Sequence, residues 1–233
     1  GYYSRVTNRL HGRVTRLYLT PLIRSLQQVA GSHPLLTFLD SFRYPLAGEF
    51  AMVRDLAWIN RVPGDWGLEV GVLSEIYRNC ALRRICQADI ADAYEHKHQS
   101  LSADNAEQGL QKMCVDITKS LFRNLASEGV VLSEAVLKTL RATYLQTAQE
   151  AITRYQNDAA INSLQFDRHE ERMAVEVFLK GMKIATEAFL DDPLGVPMIS
   201  NWSRVTGAIP DIFERLIGAV ERDHEWDPVG DRV

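Results

Sequence analysis

From residue 104 onward nearly every apolar side chain falls at helical spacing, and a chain patterned in this way must bury its stripes by packing helix against helix. A first helix is predicted over residues 104–126. Ser133 is placed to cap a second, whose stripe runs Leu137, Leu140, Tyr144, Ala148, Ala151 and Tyr155. A third carries Val175, Phe178, Met182, Ala185 and Phe189 and must stop at residues 191–197, where two prolines and a glycine prevent continuation. A last helix starts near Pro210 and shows Ile212, Phe213, Leu216, Ile217 and Val220. These stripes read as packing surfaces, so this half is assigned no chemistry.

The first hundred residues have a mixed rhythm. Residues 12–30 place Val14, Leu17, Tyr18, Leu22, Leu26 and Val29 at helical intervals, and Pro21 is expected to kink the helix or restart it with Thr20 as N-cap. Residues 41–59 read as an extended lead-in, a turn at Gly48 and a short helix; residues 67–80 read as another helix. Residues 82–96 read as a strand whose even positions begin apolar at Cys86, Ala88 and Ile90 and finish polar at Asp92, Tyr94 and His96, as though leaving a core. Ligands in α/β folds sit beyond the carboxyl ends of such strands. The predicted class is therefore α/β over 1–101, followed by a mostly helical extension over 102–233.

The net charge of −4 argues against a general nucleic-acid binder. It conceals an asymmetry, with 12 basic against 9 acidic residues in the first hundred and 14 against 21 in the remainder, so an anionic ligand is expected on the first part. Cys80, Cys86 and Cys114 are odd in number and form no metal-type Cys-x-x-Cys pair, which favours free thiols packed as small hydrophobes in a reducing, cytoplasmic setting. No apolar run approaches the roughly 18 to 20 residues of a membrane span. The chain opens Gly-Tyr-Tyr-Ser-Arg-Val without an initiator methionine, as a fragment, a processed product or one part of a longer protein would.

Three constellations could carry chemistry. His96 and His98 alternate, so in an extended chain they share a face and, with Asp92, could offer donors to a divalent metal; a solvent-exposed strand end explains them equally simply. Glu69 falls in the middle of an apolar arc formed by Leu68, Val72, Leu73 and Ile76. It either complements the dipole of the helix's first turn or faces a cavity and accepts hydrogen bonds from a polyhydroxylated ligand. Gly67 and Gly71 beside it would let other chain approach closely. Gly12, Arg13 and Thr15 open the first helix, where free N–H groups and a guanidinium suit a phosphate or carboxylate, although ordinary capping accounts for Thr15 too. Phosphate loops, dinucleotide fingerprints, nucleophile elbows and zinc helices are missing from the sequence.

Taken in order, Gly-Arg-Val-Thr-Arg-Leu (12–17), Pro-Leu-Ala-Gly-Glu-Phe-Ala (45–51), Trp-Gly-Leu-Glu-Val-Gly (66–71) and Tyr-Glu-His-Lys-His-Gln (94–99) resemble the C-terminal part of the catalytic domain of glucosyl-3-phosphoglycerate synthases, retaining glycosyltransferases of the GT-A fold. The resemblance covers about residues 1–101. It implies that Gly12, Arg13 and Thr15 bind the acceptor 3-phosphoglycerate, that Leu46, Gly48 and Glu49 border the donor sugar, and that Trp66 and Glu69 touch the donor glucose, with Glu69 the catalytic-site carboxylate. It further implies that His96 binds Mg²⁺ or Mn²⁺ together with an Asp-x-Asp motif, and that His98 lies near the acceptor. The implied parent protein transfers glucose from an NDP-glucose, UDP-glucose by expectation, and forms a homodimer, without nucleic-acid or membrane partners.

Two departures stand out: the chain contains no Asp-x-Asp, and Trp66 stands where the family usually has tyrosine. The nucleotide-binding half of such a domain would have to come from sequence outside this chain. Rival readings are a related mannosyl- or glycerate-using transferase, or a non-catalytic helical assembly module.

Overall fold

The computed structural model describes residues 1–92 and 109–225. Strand β1 (Tyr2–Tyr3) pairs in parallel with β2 (Asp89–Ala91), Tyr2 opposite Asp89 and Tyr3 opposite Ala91. Everything else regular among these residues is helical: a π-helical stretch Val14–Leu19 running into α1 (Thr20–Ala30), then α2 (Pro34–Asp40), α3 (Arg54–Ile59), α4 (Leu68–Asn79), a 3₁₀ turn at Leu82–Arg84, and α5 (Gly109–Ser127). After these come α6 (Glu134–Ile161), α7 (Arg168–Asp191), α8 (Trp202–Ala208) and α9 (Ile212–Glu225). Among the described residues no helix is long and apolar enough to cross a membrane.

The stripes on α6 and α7 bury as patterned: Leu137, Leu140, Tyr144, Ala148 and Ala151 face Val175, Phe178 and Met182 across a core that also takes Leu17, Tyr18, Leu22 and Leu26 from the first helix and Leu121 and Phe122 from α5. Tyr18 stands at its centre, fully buried, with ring centroids 5.5 Å from Tyr144 and 5.4 Å from Phe178. Its hydroxyl bonds the Thr118 hydroxyl. One apolar core therefore draws on both ends of the sequence, and the boundary expected near 101 falls outside the described residues.

Pro21 neither restarts nor breaks the first helix. Thr20 keeps helical angles, φ −61° and ψ −48°, and its N–H reaches back to the Thr15 carbonyl, so the chain takes the proline by widening its turns to the π register. In an α-helix an N–H at position 21 would bond the Leu17 carbonyl, and proline has none. The Tyr144 hydroxyl of α6 donates to that carbonyl instead, at 2.9 Å. Tyr144→Phe is expected to cost about 1 to 2 kcal/mol of stability. An unchanged urea midpoint would contradict this role.

Two sequence expectations are corrected here. Over residues 82–92 there is no long half-buried strand: the segment opens with a 3₁₀ turn, only Asp89–Ala91 pair, Cys86 and Ala88 are exposed, and Ile90 keeps 51% of its surface, while 93–96 lie outside the described residues. Alternation marked a possible inner face, but among the described residues only a two-residue partner covers it, and Cys86 is thus no buried hydrophobe. The stripe of α9 also departs from expectation, since Phe213, Leu216, Ile217 and Val220 remain 43–60% exposed. Phe213 stacks on Trp58 of α3 and Trp202 of α8, at 5.9 and 5.5 Å, and the rest of that face lies open among the described residues.

Candidate functional site

At the start of the first helix the chain folds back on itself. Val6 pairs antiparallel with Leu10, and the His11 N–H donates to the Arg5 carbonyl at 2.9 Å. Gly12 follows at φ +71°, in the left-handed region that disfavours side chains. A Cβ there would also meet the Tyr44 ring at 3.2 Å and Arg5 Cδ at 3.5 Å. Both conditions call for glycine, which explains why a helix opens here behind a bare residue. One turn in, Thr15 is 5% exposed and its hydroxyl has no hydrogen-bond partner, an arrangement that leaves a buried polar atom waiting for one.

Arg13 is held by the opposite end of the sequence. Asp167 caps α7 by accepting the N–H groups of His169 and Glu170 at 2.8 and 3.0 Å, and this brings Glu170 and Glu171 to the first turn. Arg13 donates from Nε to Glu171 at 2.9 Å and from Nη2 to Glu170 at 2.5 Å. Arg16 donates to the other Glu171 oxygen at 3.0 Å and to the His11 carbonyl at 2.8 Å, its guanidinium lying over the Tyr155 ring. Burial works against the Arg13 charge, but the bonds to Glu171 and Glu170 outweigh it and raise the guanidinium above its ordinary value. Glu171, 4% exposed, thus locks two arginines with one carboxylate.

The Pro45–Glu49 motif reaches the same place. Tyr44 packs against Gly12, and Glu49 accepts a bond from the Tyr3 hydroxyl at 3.3 Å. Leu46 is half-buried against the core, whereas Gly48 is exposed with open space where a Cβ would be. Between the two motifs lies Arg5, its guanidinium carbon 3.6 Å from the Tyr44 ring centre and 4.4 Å from that of Tyr3.

Trp66 and Glu69 come from the start of α4, with no hydrogen bond or ion pair to either motif among the described residues. Trp66 is 44% exposed on the turn that leads into the helix. Glu69 is half-buried in its first turn; burial pushes its carboxyl above the ordinary glutamate range, and only its own backbone N–H opposes this. The glycines do permit close approach: a Cβ at Gly67 would meet Ser120 Cβ at 2.7 Å and the Asp116 carbonyl at 3.1 Å on α5, and one at Gly71 would run into the Pro63 ring. Glu75, 3% exposed, pins the same helix by accepting from Arg61 at 2.9 Å and Arg78 at 3.2 Å. The burial of α4 is broader than the expected arc, taking in Val70, Ser74 and Glu75 as well as Val72.

His96 and His98 lie outside the described residues. Among the described ones no three His, Cys, Asp or Glu side chains converge on a point where a metal could sit. A cavity of about 210 Å³ opens between α1 and α6, lined by Arg16, Arg24, Arg154 and Asp158 among others. Arg16 is answered by Glu171 and Arg24 by Asp40, which leaves one cation and one anion, so it carries no net charge to attract a substrate.

This chain matches two curated glucosyl-3-phosphoglycerate synthases. It is 52% identical over 227 residues to the glucosyl-3-phosphoglycerate synthase of Persephonella marina, covering 97% of this chain and 56% of that protein. The chain is related to these synthases. A second, from Methanococcoides burtonii, is 41% identical over 96% of this chain and 55% of its own length. The chain therefore spans about half the length of the curated synthases it matches. No protein-family model and no solved structure matches it.

Sequence reasoning missed Tyr3, Arg5, Tyr44, Glu170 and Glu171. The glutamates sit in an ordinary charged first turn, 157 and 158 residues from Arg13 in the chain, where no local spacing marks them.

Proposed function

We propose that the full-length protein transfers glucose from an NDP-glucose, most simply UDP-glucose, to the 2-hydroxyl of 3-phosphoglycerate with retention of anomeric configuration, this chain supplying the acceptor-binding part of a GT-A domain and a helical extension. The relation to two glucosyl-3-phosphoglycerate synthases, with the Gly12 turn and the Glu49 segment meeting around Arg5 and Tyr44, is the observation that carries the reading.

Gly12, Arg13 and Thr15 would hold the phosphate and carboxylate of the acceptor: the helix start offers N–H groups, Thr15 an unpartnered hydroxyl, and Arg13 the guanidinium donors not engaged by Glu170 and Glu171. Orienting the acceptor converts encounter into an intramolecular reaction. Leu46, Gly48, Glu49 and Trp66 would border the donor sugar and Glu69 would accept its hydroxyls, while His98 would lie by the acceptor. Mg²⁺ or Mn²⁺ on His96 would neutralise charge on a departing diphosphate. Because the remaining donors for that ion are not among the described residues, no step is assigned through it. Homodimer formation and a cytoplasmic location belong to the same proposal.

The deciding assay is glucose transfer by the full-length protein, supplied with Mg²⁺ or Mn²⁺, from UDP-glucose to 3-phosphoglycerate, against glycerate as acceptor and GDP-mannose as donor. Preference for either substitute would replace this reading. Arg13→Ala is expected to raise the acceptor KM about tenfold or more, the loss of one charge-assisted bond, while kcat changes little. An unchanged acceptor KM would remove Arg13 from the site.

A further inference from the structure

We infer that Arg5 is a further substrate-binding residue, a guanidinium set over the Tyr3 and Tyr44 rings whose N–H groups donate to a phosphate held above the Gly12 turn. This rests on the acceptor reading above.

Of the arginines around this turn, Arg13 and Arg16 direct donors to Glu171, Glu170 and the carbonyl of His11. Arg5 is different. Its guanidinium carbon lies over two aromatic rings, 3.6 Å from the centre of Tyr44 and 4.4 Å from that of Tyr3, yet among the described residues its side chain makes no hydrogen bond or ion pair and its buried Nε has no partner. Stacking uses the faces of a guanidinium and leaves the in-plane N–H groups, which are the ones that match an oxyanion.

The setting fixes Arg5 closely. Its backbone carbonyl accepts from His11 at the base of the fold-back, its Cδ lies against the bare Gly12, and the Tyr3 ring is held by its bond to Glu49. Burial depresses the guanidinium, and nearby Tyr44 and Glu49 only partly offset this, so a bound anion would relieve the site. The Thr15 hydroxyl, one turn into the helix that Gly12 opens, is likewise buried and unpartnered among the described residues. A cation set over two rings, with a buried donor left unpartnered among the described residues, suits a ligand better than an internal ion pair.

Phosphate could come from the acceptor or from the donor diphosphate, and we place Arg5 on the acceptor. In the full-length protein Arg5→Gln is expected to raise the KM for 3-phosphoglycerate about 10- to 100-fold, the value of a hydrogen bond to a charged group, with the KM for the nucleotide sugar unchanged. Arg5→Lys should recover only part of this, because an ammonium cannot stack on both rings and present an edge. With glycerate, which has no phosphate, wild type and Arg5→Gln should perform alike. A merely structural Arg5 would lower the melting temperature without moving KM. Unaltered acceptor KM in a folded variant, or a rise confined to the donor, would overturn the assignment.

Inorganic phosphate gives a second readout independent of glucosyl transfer: it should raise the melting temperature of the wild type and not of Arg5→Gln or Arg5→Lys to the same extent. Should the full-length protein move no glucose to 3-phosphoglycerate, the functional reading fails while this shift still judges Arg5; equal protection of wild type and variants refutes it.

Discussion

Replacing Glu171 with alanine is expected to destabilise the full-length protein by about 3 kcal/mol and to weaken acceptor binding together, although Glu171 lies in the half of the sequence that reads as pure scaffold. Removing one partner of a buried ion pair costs about 3–5 kcal/mol, because the partner's charge stays desolvated; Arg13 keeps some contact with water, which places the figure at the lower end. Two arginines lose their carboxylate at once: Arg13 Nε and Arg16 Nη1 both end on Glu171, at 2.9 and 3.0 Å. Arg16 also tethers the fold-back through the His11 carbonyl, so the Gly12 turn should loosen with it.

The consequence separates Glu171 from an ordinary stabilising pair. A freed Arg13 can swing, so the KM for 3-phosphoglycerate should rise several-fold while kcat falls less, whereas a distant destabilising substitution of equal size should leave KM alone. Glu171→Asp, which keeps the charge on a shorter stem, should recover part of the stability. Full stability in Glu171→Ala, measured by chemical unfolding, would mean that Glu170 alone holds Arg13 and that the helical half does not support the site.

How far the fold could be read in advance follows from the range of each signal. The helices α5, α6 and α7 were legible because a 3.6-residue period is written inside each segment, and the stripes marked on α6 and α7 are their buried faces. Pro21 was legible as a disturbance but not in its resolution: the answer, a hydroxyl on Tyr144, is 127 residues from the Leu17 carbonyl that it satisfies. The strand expected over 82–96 was over-read in its described part, 82–92, because alternation reports a pattern and not whether anything covers it. The same holds for α9, whose stripe is correct as amphipathic helix and mistaken as buried surface.

The candidate site divides in the same way. Gly12, Gly67 and Gly71 were singled out: Gly12 takes a positive φ, and the space around Gly67 and Gly71 proves too small for a side chain. What could not be seen was Arg5 between Tyr3 and Tyr44, since a stacked guanidinium needs three residues from two distant segments and leaves no mark in either. The helical half was assigned no chemistry, yet Glu170 and Glu171 set the orientation of Arg13.

Glu69→Gln offers the sharpest contrast between the two explanations of a carboxylate in an apolar arc, because they predict stability changes of opposite sign. Burial holds the Glu69 carboxyl above the ordinary glutamate value in the folded state. Below that ordinary value the group is protonated whether the chain is folded or not, and it contributes nothing. As pH rises from there through the raised folded value, the unfolded chain ionises more readily than the folded one, so Glu69 increasingly opposes folding. The glutamine variant should therefore match the wild type near pH 4, gain on it as pH rises, and hold a constant advantage once the folded carboxyl has ionised. If Glu69 instead serves the helix dipole, the same variant should lose about 0.3–1 kcal/mol at neutral pH. Activity completes the test: a carboxylate that accepts two sugar hydroxyls is worth about a hundredfold or more in kcat/KM for the donor, since each bond to a charged group contributes about 1.5–3 kcal/mol. A variant more stable at pH 7 and a hundredfold slower would identify a charge retained for binding at the expense of the fold, whereas a less stable variant with wild-type turnover would return Glu69 to helix capping.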